Sequence, residues 1–157
     1  MRVVTWNINS VRLRIKSVRR VVKKLNPDIL CLQETKCLRE DFPFKDFKRM
    51  GFLQTEAYGI KGYNGVSISS KIPIVSYDKT TFCNKDDARH INIELLYQKK
   101  KINIHNFYIP AGGDEPDPKI NKKFKHKLQF LDQATKYFSN KNLSLIHISE
   151  PTRPSVI

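Results

Sequence analysis

No apolar run in the chain approaches the ~20 residues that a membrane-crossing helix requires. A basic leader followed by an apolar core is missing too, and we expect a soluble, cytoplasmic protein with no membrane partner. Cysteine is scarce. Cys31, Cys37 and Cys83 are odd in number and stand at no Cys-x-x-Cys or Cys/His spacing, which argues against a disulfide framework and against a zinc site. Cys31, inside an apolar run, reads as a small hydrophobe. Internal repeats and low-complexity linkers are absent. The 157 residues, 39% of them hydrophobic, are enough for one core.

Negative charge is also in short supply. Fifteen Asp and Glu stand against 29 Lys and Arg, a net charge of +14. Such a surplus favours polyanionic partners, because each phosphate bound releases counterions. It has a bland source as well: Lys, Asn and Ile are abundant, as AT-rich coding produces, and most charge runs are solvated faces.

The pattern of elements is more specific. In "MRVVTWNINS" a β-type run, Val3 to Trp6, ends in the polar Asn7, Asn9 and Ser10. Then Val11, Ile15, Val18, Val22 and Leu25 recur at helical spacing, with cations on the other faces, which predicts an amphipathic helix with Ser10 as its N-cap and Asn26-Pro27 as its stop. "DILCLQE" follows as a strand so continuously apolar that both faces should be covered. Strand, helix, strand within this span is a βαβ unit with an expected right-handed crossover. Its two parallel strands present their carboxyl ends at one edge, where open α/β sheets place ligands. Asn7 closes one strand and Glu34 the other.

Beyond this unit, "FPFKDFKRM" reads as a short helix. "FLQTEAYG", "GVSISS", "PIVSYDKTT", "ARHINIELLY" and "KINIHNFYI" read as strands, the last two joined by a turn at "QKKK". The alternation at 90–96 predicts one solvated face. Ile120, Phe124, Leu128, Leu131, Ala134 and Phe138 predict a long helix over 119–139. The whole reads as α/β, with sheet packed on sheet and helices outside. The stretch 143–157, "LSLIHISEPTRPSVI", changes character and resembles the read-through of a sequencing adapter, so we expect it to be a non-native tail.

Taken alone, Glu34 with Asn7 offers hard oxygen atoms of the kind Mg²⁺ accepts, with as few as one or two carboxylates completed by waters and phosphate. Polar strand ends are also common without any such role. Lys36 either adds attraction for phosphate or stands as a solvated lysine. His90, His105 and His126 fit satisfied or exposed positions better than a general base.

"WNINSVR", "PDILCLQETK", "KGYNGVSISSK", "ARHINIE" and "NFYIPAGG" stand in the order and spacing of the exodeoxyribonuclease III family of bacterial AP endonucleases, within the endonuclease/exonuclease/phosphatase superfamily. The chain resembles that family over residues 1–142. The resemblance implies a four-layer α/β sandwich of the DNase I type, present as roughly its N-terminal half. It implies a monomeric, Mg²⁺-dependent (or Mn²⁺-dependent) phosphodiesterase of base excision repair, which cuts double-stranded DNA at abasic sites and trims 3′ ends. By the same resemblance Glu34 matches the metal ligand and Asn7 the asparagine beside it. Tyr108 matches the active-site tyrosine, whose phenol donates to a phosphoryl oxygen or, ionised beside a metal, acts as a base. Arg89 matches a residue on the DNA backbone, and Lys61 with Tyr63 a loop that approaches the groove. Without the family, Tyr108 is an ordinary half-buried strand tyrosine, Arg89 a surface charge, and Lys61 to Gly65 a glycine turn.

The chain departs from the family in having no Gly-Asp-x-Asn and no Asp-His pair after Tyr108. Those groups would orient the attacking water and stabilise the transition state. We therefore expect the chain as written to be inactive, with one inner sheet face bare and prone to aggregation. Two other readings stand beside the nuclease: a non-catalytic basic DNA-binding fragment, and a phosphodiesterase of lipid or inositol phosphates. The basic surplus and the "KGYNG" loop weigh against the last.

Overall fold

The structure, a computed structural model, describes residues 1–139, so the expected tail at 143–157 lies outside the described residues. Seven strands and three helices follow in the order β1 (Val3–Asn7), α1 (Ile15–Leu25), β2 (Ile29–Gln33), α2 (Phe44–Arg49), β3 (Gln54–Ile60), β4 (Tyr63–Ser70), β5 (Ile74–Asp78), β6 (His90–Tyr97), β7 (Lys100–Phe107) and α3 (Lys122–Ser139). One sheet has the order β1-β2-β4-β3 and the other β5-β6-β7. The strands β1 and β2 are parallel, from Val3 opposite Ile29 to Asn7 opposite Gln33, and the remaining pairs are antiparallel.

Alternation along β2 explains its continuous apolarity. Leu30 and Leu32 pack with Val18 and Val22 of α1 and with Phe47 of α2. Ile29 and Cys31 face the other way, against Val66 and Ile68 of β4 and Ile91, Ile93 and Leu95 of β6. Both faces of the strand are thus covered, by helices on one side and by the second sheet on the other. The α3 helix closes the far side: Phe130 lies 4.9 Å from Phe82 and 6.3 Å from Phe107, ring centre to ring centre. The layer order is helix, sheet, sheet, helix, the four-layer sandwich expected.

Four details differ from the sequence reading. Ser10 does not cap α1. Its N–H donates to the Glu34 carbonyl at 2.7 Å, so the segment after β1 continues zipped to β2 and the helix begins only at Ile15, after Arg14. At its other end Asn26 stops the helix as read, in a left-handed conformation with φ 42°.

The expected stripe of α3 is partly rotated: Phe124, Ala134 and Phe138 are half-buried as read, but Leu128 and Leu131 are exposed, Ile120 precedes the helix, and Phe130, outside the stripe, is the buried residue. Three aromatic side chains, Phe130, Tyr137 and Phe138, meet the sheet, and aromatic rings bury more area than the leucines they displace. For the same reason the polar face of β6 is not solvated at its start. His90 is fully buried, stacked on Phe107 at 4.2 Å, and shares a 3.0 Å contact with His105.

The expected bare inner face is not found among the described residues. Ile29, Cys31, Val66, Ile68, Ile91, Ile93 and Leu95 are all 5% exposed or less, because the two sheets within the chain cover each other. The edge strands are β1 and β3 in one sheet and β5 and β7 in the other.

Candidate active site

The site is built where β1 and β2 end side by side. After Asn7 the main chain stays hydrogen-bonded to the segment after β2: Ile8 N–H to the Gln33 carbonyl at 2.9 Å and Val11 N–H to the Thr35 carbonyl at 3.2 Å. Asn9, Ser10, Glu34 and Lys36 all have positive φ, Glu34 at 54°. Simple alternation after Leu32 would send Glu34 toward the helices. The left-handed turn, uncommon for a residue with a Cβ, brings its carboxylate to the side of the second sheet instead.

Three side chains meet there. The Asn7 Nδ2 donates to Glu34 Oε1 at 2.7 Å and the Tyr108 hydroxyl donates to the same oxygen at 3.0 Å. The Lys36 ammonium lies 3.1 Å from Oε2 and donates to Asn9 Oδ1 at 2.6 Å. Partial burial alone would raise the Glu34 carboxyl, but the hydrogen bonds from Asn7, Lys36 and Tyr108 and the Lys36 charge outweigh it and hold the group below its ordinary range. The Tyr108 phenol moves the other way. Burial first, then its hydrogen bond to Glu34 and the charge there, push it up to about 12.

Arg89 stands behind the tyrosine. It is 9% exposed, donates from Nε to Asp87 at 2.5 Å and from a terminal nitrogen to the Tyr108 carbonyl at 3.2 Å, and stacks its guanidinium 4.9 Å from the ring centre. Its visible work is to hold Tyr108, whose own N–H bonds the Arg89 carbonyl at 2.8 Å. Lys61 and Tyr63 lie at the exposed tip between β3 and β4, with Tyr63 58% exposed. No contact joins their side chains to Glu34, yet their loop is clipped to the site. Gly62 N–H donates to the Lys36 carbonyl, Lys36 N–H to the Asn64 carbonyl, and Thr35 N–H to the Gly65 carbonyl, at 3.2, 2.9 and 3.1 Å.

The residues read from the sequence therefore fall into three groups: Glu34 with Asn7, Lys36 and Tyr108 each in contact with its carboxylate, Arg89 beneath them, and Lys61 and Tyr63 at the rim. Sequence reasoning passed over Asn9, which holds Lys36, and Asp87, which holds Arg89. Asn9 had a signal, since short polar residues tolerate left-handed backbone, whereas Asp87 had none that pattern could expose. Glu34 also meets a chemical test for a divalent cation. It is a hard-oxygen ligand kept ionised with a positive group already at one oxygen, and its neighbour is an amide. Among the described residues it has no cluster of further carboxylates, histidines or cysteines around it.

The sequence profile described as Endonuclease/Exonuclease/phosphatase family matches residues 4–141. Similar proteins include exodeoxyribonuclease III of Haemophilus influenzae, 26% identical over 90% of this chain and 52% of that protein. Recombination repair protein 1 of Drosophila melanogaster is 31% identical over 84% of this chain and 20% of its own length. Among solved structures, an AP endonuclease from Archaeoglobus fulgidus superposes with a TM-score of 0.76 at 31% identity, covering 90% of this chain and 52% of the other. The 3′ phosphatase NExo from Neisseria, bound to a product DNA hairpin, gives 0.76 at 28% with the same coverage. The chain spans about half the length of these relatives, or less. The match runs through nearly all the described residues, and the chain belongs to the endonuclease/exonuclease/phosphatase family.

Proposed function

We propose that this chain carries part of the active site of a metal-dependent DNA phosphodiesterase, one that cuts beside abasic sites and trims 3′ ends. One observation carries the reading: a single carboxylate, Glu34, is gripped by an amide, a phenol and an ammonium at the carboxyl ends of two parallel strands. The net charge of +14 and relatives named for exodeoxyribonuclease and AP endonuclease activity support DNA over a lipid phosphate as the substrate.

Glu34, with Asn7 beside it, would hold Mg²⁺ or Mn²⁺. Bound there, the ion supplies Lewis-acid charge for a phosphoryl oxygen. The chain's own groups do the rest of the work available to them. Asn7 fixes the orientation of the carboxylate through its 2.7 Å hydrogen bond. Burial and the Glu34 charge push the Tyr108 phenol up to about 12, which favours its service as a hydrogen-bond donor to a phosphate oxygen; ionised beside the metal it would act as a base instead. Lys36 and the Lys61 and Tyr63 rim attract and border the nucleic-acid backbone. Arg89 acts by stiffening Tyr108 from behind.

The test is incision of a duplex with one abasic site, by the chain joined to a family C-terminal half, with Mg²⁺ and with chelator. Glu34→Gln should cut at least about 100-fold more slowly, the scale for losing a transition-state charge stabiliser. Undiminished cutting by that variant sinks the assignment. For the chain by itself, the exposed Lys61 and Tyr63 favour a second reading, binding without turnover. Salt-dependent DNA binding with no Mg²⁺-dependent product is its signature.

A further inference from the structure

Beneath the candidate site the apolar core between the sheets is interrupted by two buried amides. Gln33, the last residue of β2, is 5% exposed and Asn106, near the end of β7, is 3% exposed. Gln33 Nε2 donates to Asn106 Oδ1 at 2.6 Å and to Thr5 Oγ1 at 2.9 Å. Asn106 Nδ2 in turn donates to the main-chain carbonyls of Leu32 and Ser67, both at 2.9 Å. One side chain from the second sheet is thereby tied to three strands of the first: β1 through Gln33 and Thr5, β2 at Leu32, and β4 at Ser67.

The position of this tie gives it a meaning. Gln33 is the residue before Glu34, and Asn106 is two residues before Tyr108, which follows directly on the end of β7. The Tyr108 to Glu34 hydrogen bond of 3.0 Å is the next link across the same gap, made by groups from opposite sheets. Greasy side chains would fill the gap equally well, as Ile29, Val66, Ile68 and Ile93 do one layer deeper, but apolar contact is non-directional and tolerates sliding. Amide bonds to fixed carbonyls fix both separation and register.

We propose that the Gln33 and Asn106 amide pair is a positioning device, setting the distance between the two sheets at the site so that the Tyr108 hydroxyl meets Glu34. The inference rests on the function proposed above for what that contact is for. Its test reads the contact and not the chemistry, so a failure of catalysis leaves it standing.

The full chain is labelled with 3-fluorotyrosine and the Tyr108 signal assigned as the ¹⁹F resonance lost in Tyr108→Phe. Glu34→Ala supplies the position of that signal when the acceptor is gone. Asn106→Leu and Gln33→Met, close in shape but without the amides, should each move the resonance toward the Glu34→Ala position. The swapped pair Gln33→Asn with Asn106→Gln keeps the summed length of the two side chains and should bring it back. Circular dichroism establishes that each variant is folded. Should Asn106→Leu not fold, Gln33→Met, which leaves both Asn106 bonds to carbonyls in place, decides alone. A Tyr108 resonance that does not move in a folded single variant, or that stays displaced in a folded swap, overturns the proposal.

Discussion

Replacing Gly65, near the start of β4, by alanine should destabilise the protein far more than replacing Gly62, three residues earlier in the turn before that strand. Both have left-handed backbone, φ +93° at Gly65 and +72° at Gly62, so either alanine pays roughly 1 kcal/mol for a conformation that a Cβ disfavours. Their surroundings differ. A Cβ at Gly62 meets nothing within 4 Å, whereas one at Gly65 would sit 2.2 Å from Thr35 Oγ1 and 3.4 Å from both the Lys36 amide nitrogen and the Gly59 Cα. Thr35 is 1% exposed and β-branched, so its side chain has little room to rotate away. Moving its backbone would break the 3.1 Å bond from Thr35 N–H to the Gly65 carbonyl and strain the 2.9 Å bond from Lys36 N–H to the Asn64 carbonyl.

Overpacking of this kind adds about 1–3 kcal/mol. At about 2–4 °C per kcal/mol for a chain of this size, Gly62→Ala should lower the melting temperature by about 2–4 °C and Gly65→Ala by roughly 5–15 °C. Thermal unfolding followed by circular dichroism measures both. The double variant Gly65→Ala with Thr35→Ala removes the obstructing oxygen and should recover part of the difference. Melting temperatures for Gly65→Ala and Gly62→Ala that agree within about 2 °C would refute the reasoning, since the clash is all that separates the two.

Other consequences follow from the same structure. The Glu34 carboxyl is held below its ordinary range, so its contribution to stability is present above the unfolded-state value and is lost as pH falls through the folded one. Asn7→Ala should raise the Glu34 pKa and move that loss to higher pH, as NMR titration of the Glu34 side-chain carboxyl carbon will show; an unchanged or lower value contradicts it. Phe130→Ala should destabilise the fold by about 3–5 kcal/mol, because Phe130 packs against Phe82 and Phe107 under α3. Urea unfolding at constant m-value measures it, and a loss under about 1 kcal/mol would mean that α3 is held elsewhere. Burial pushes the Cys31 thiol up to about 12 and Cys37 is also buried. A disulfide-exchange reagent should therefore modify Cys83 first in the native protein, and reach Cys31 only on unfolding. Equal rates at all three would show that the core opens readily.

The sequence by itself determined the βαβ opening, the strand order along the chain and the convergence of Asn7 with Glu34. Each follows from local information: apolar period, a stop at Asn26-Pro27, and the requirement that neighbouring parallel strands end at one edge. Resemblance added Tyr108 and Arg89, which no local pattern distinguishes from other strand residues. Only the tertiary structure decided how these groups are held. The left-handed turn at Glu34, the rotation of α3 onto its aromatic face, the burial of His90 and the linkage of Gln33 to Asn106 all depend on residues 15 to 74 positions apart in the chain. Such contacts form only when strands pair and sheets and helices pack on one another, and sequence periodicity carries the period of one element, not the identity of what covers it.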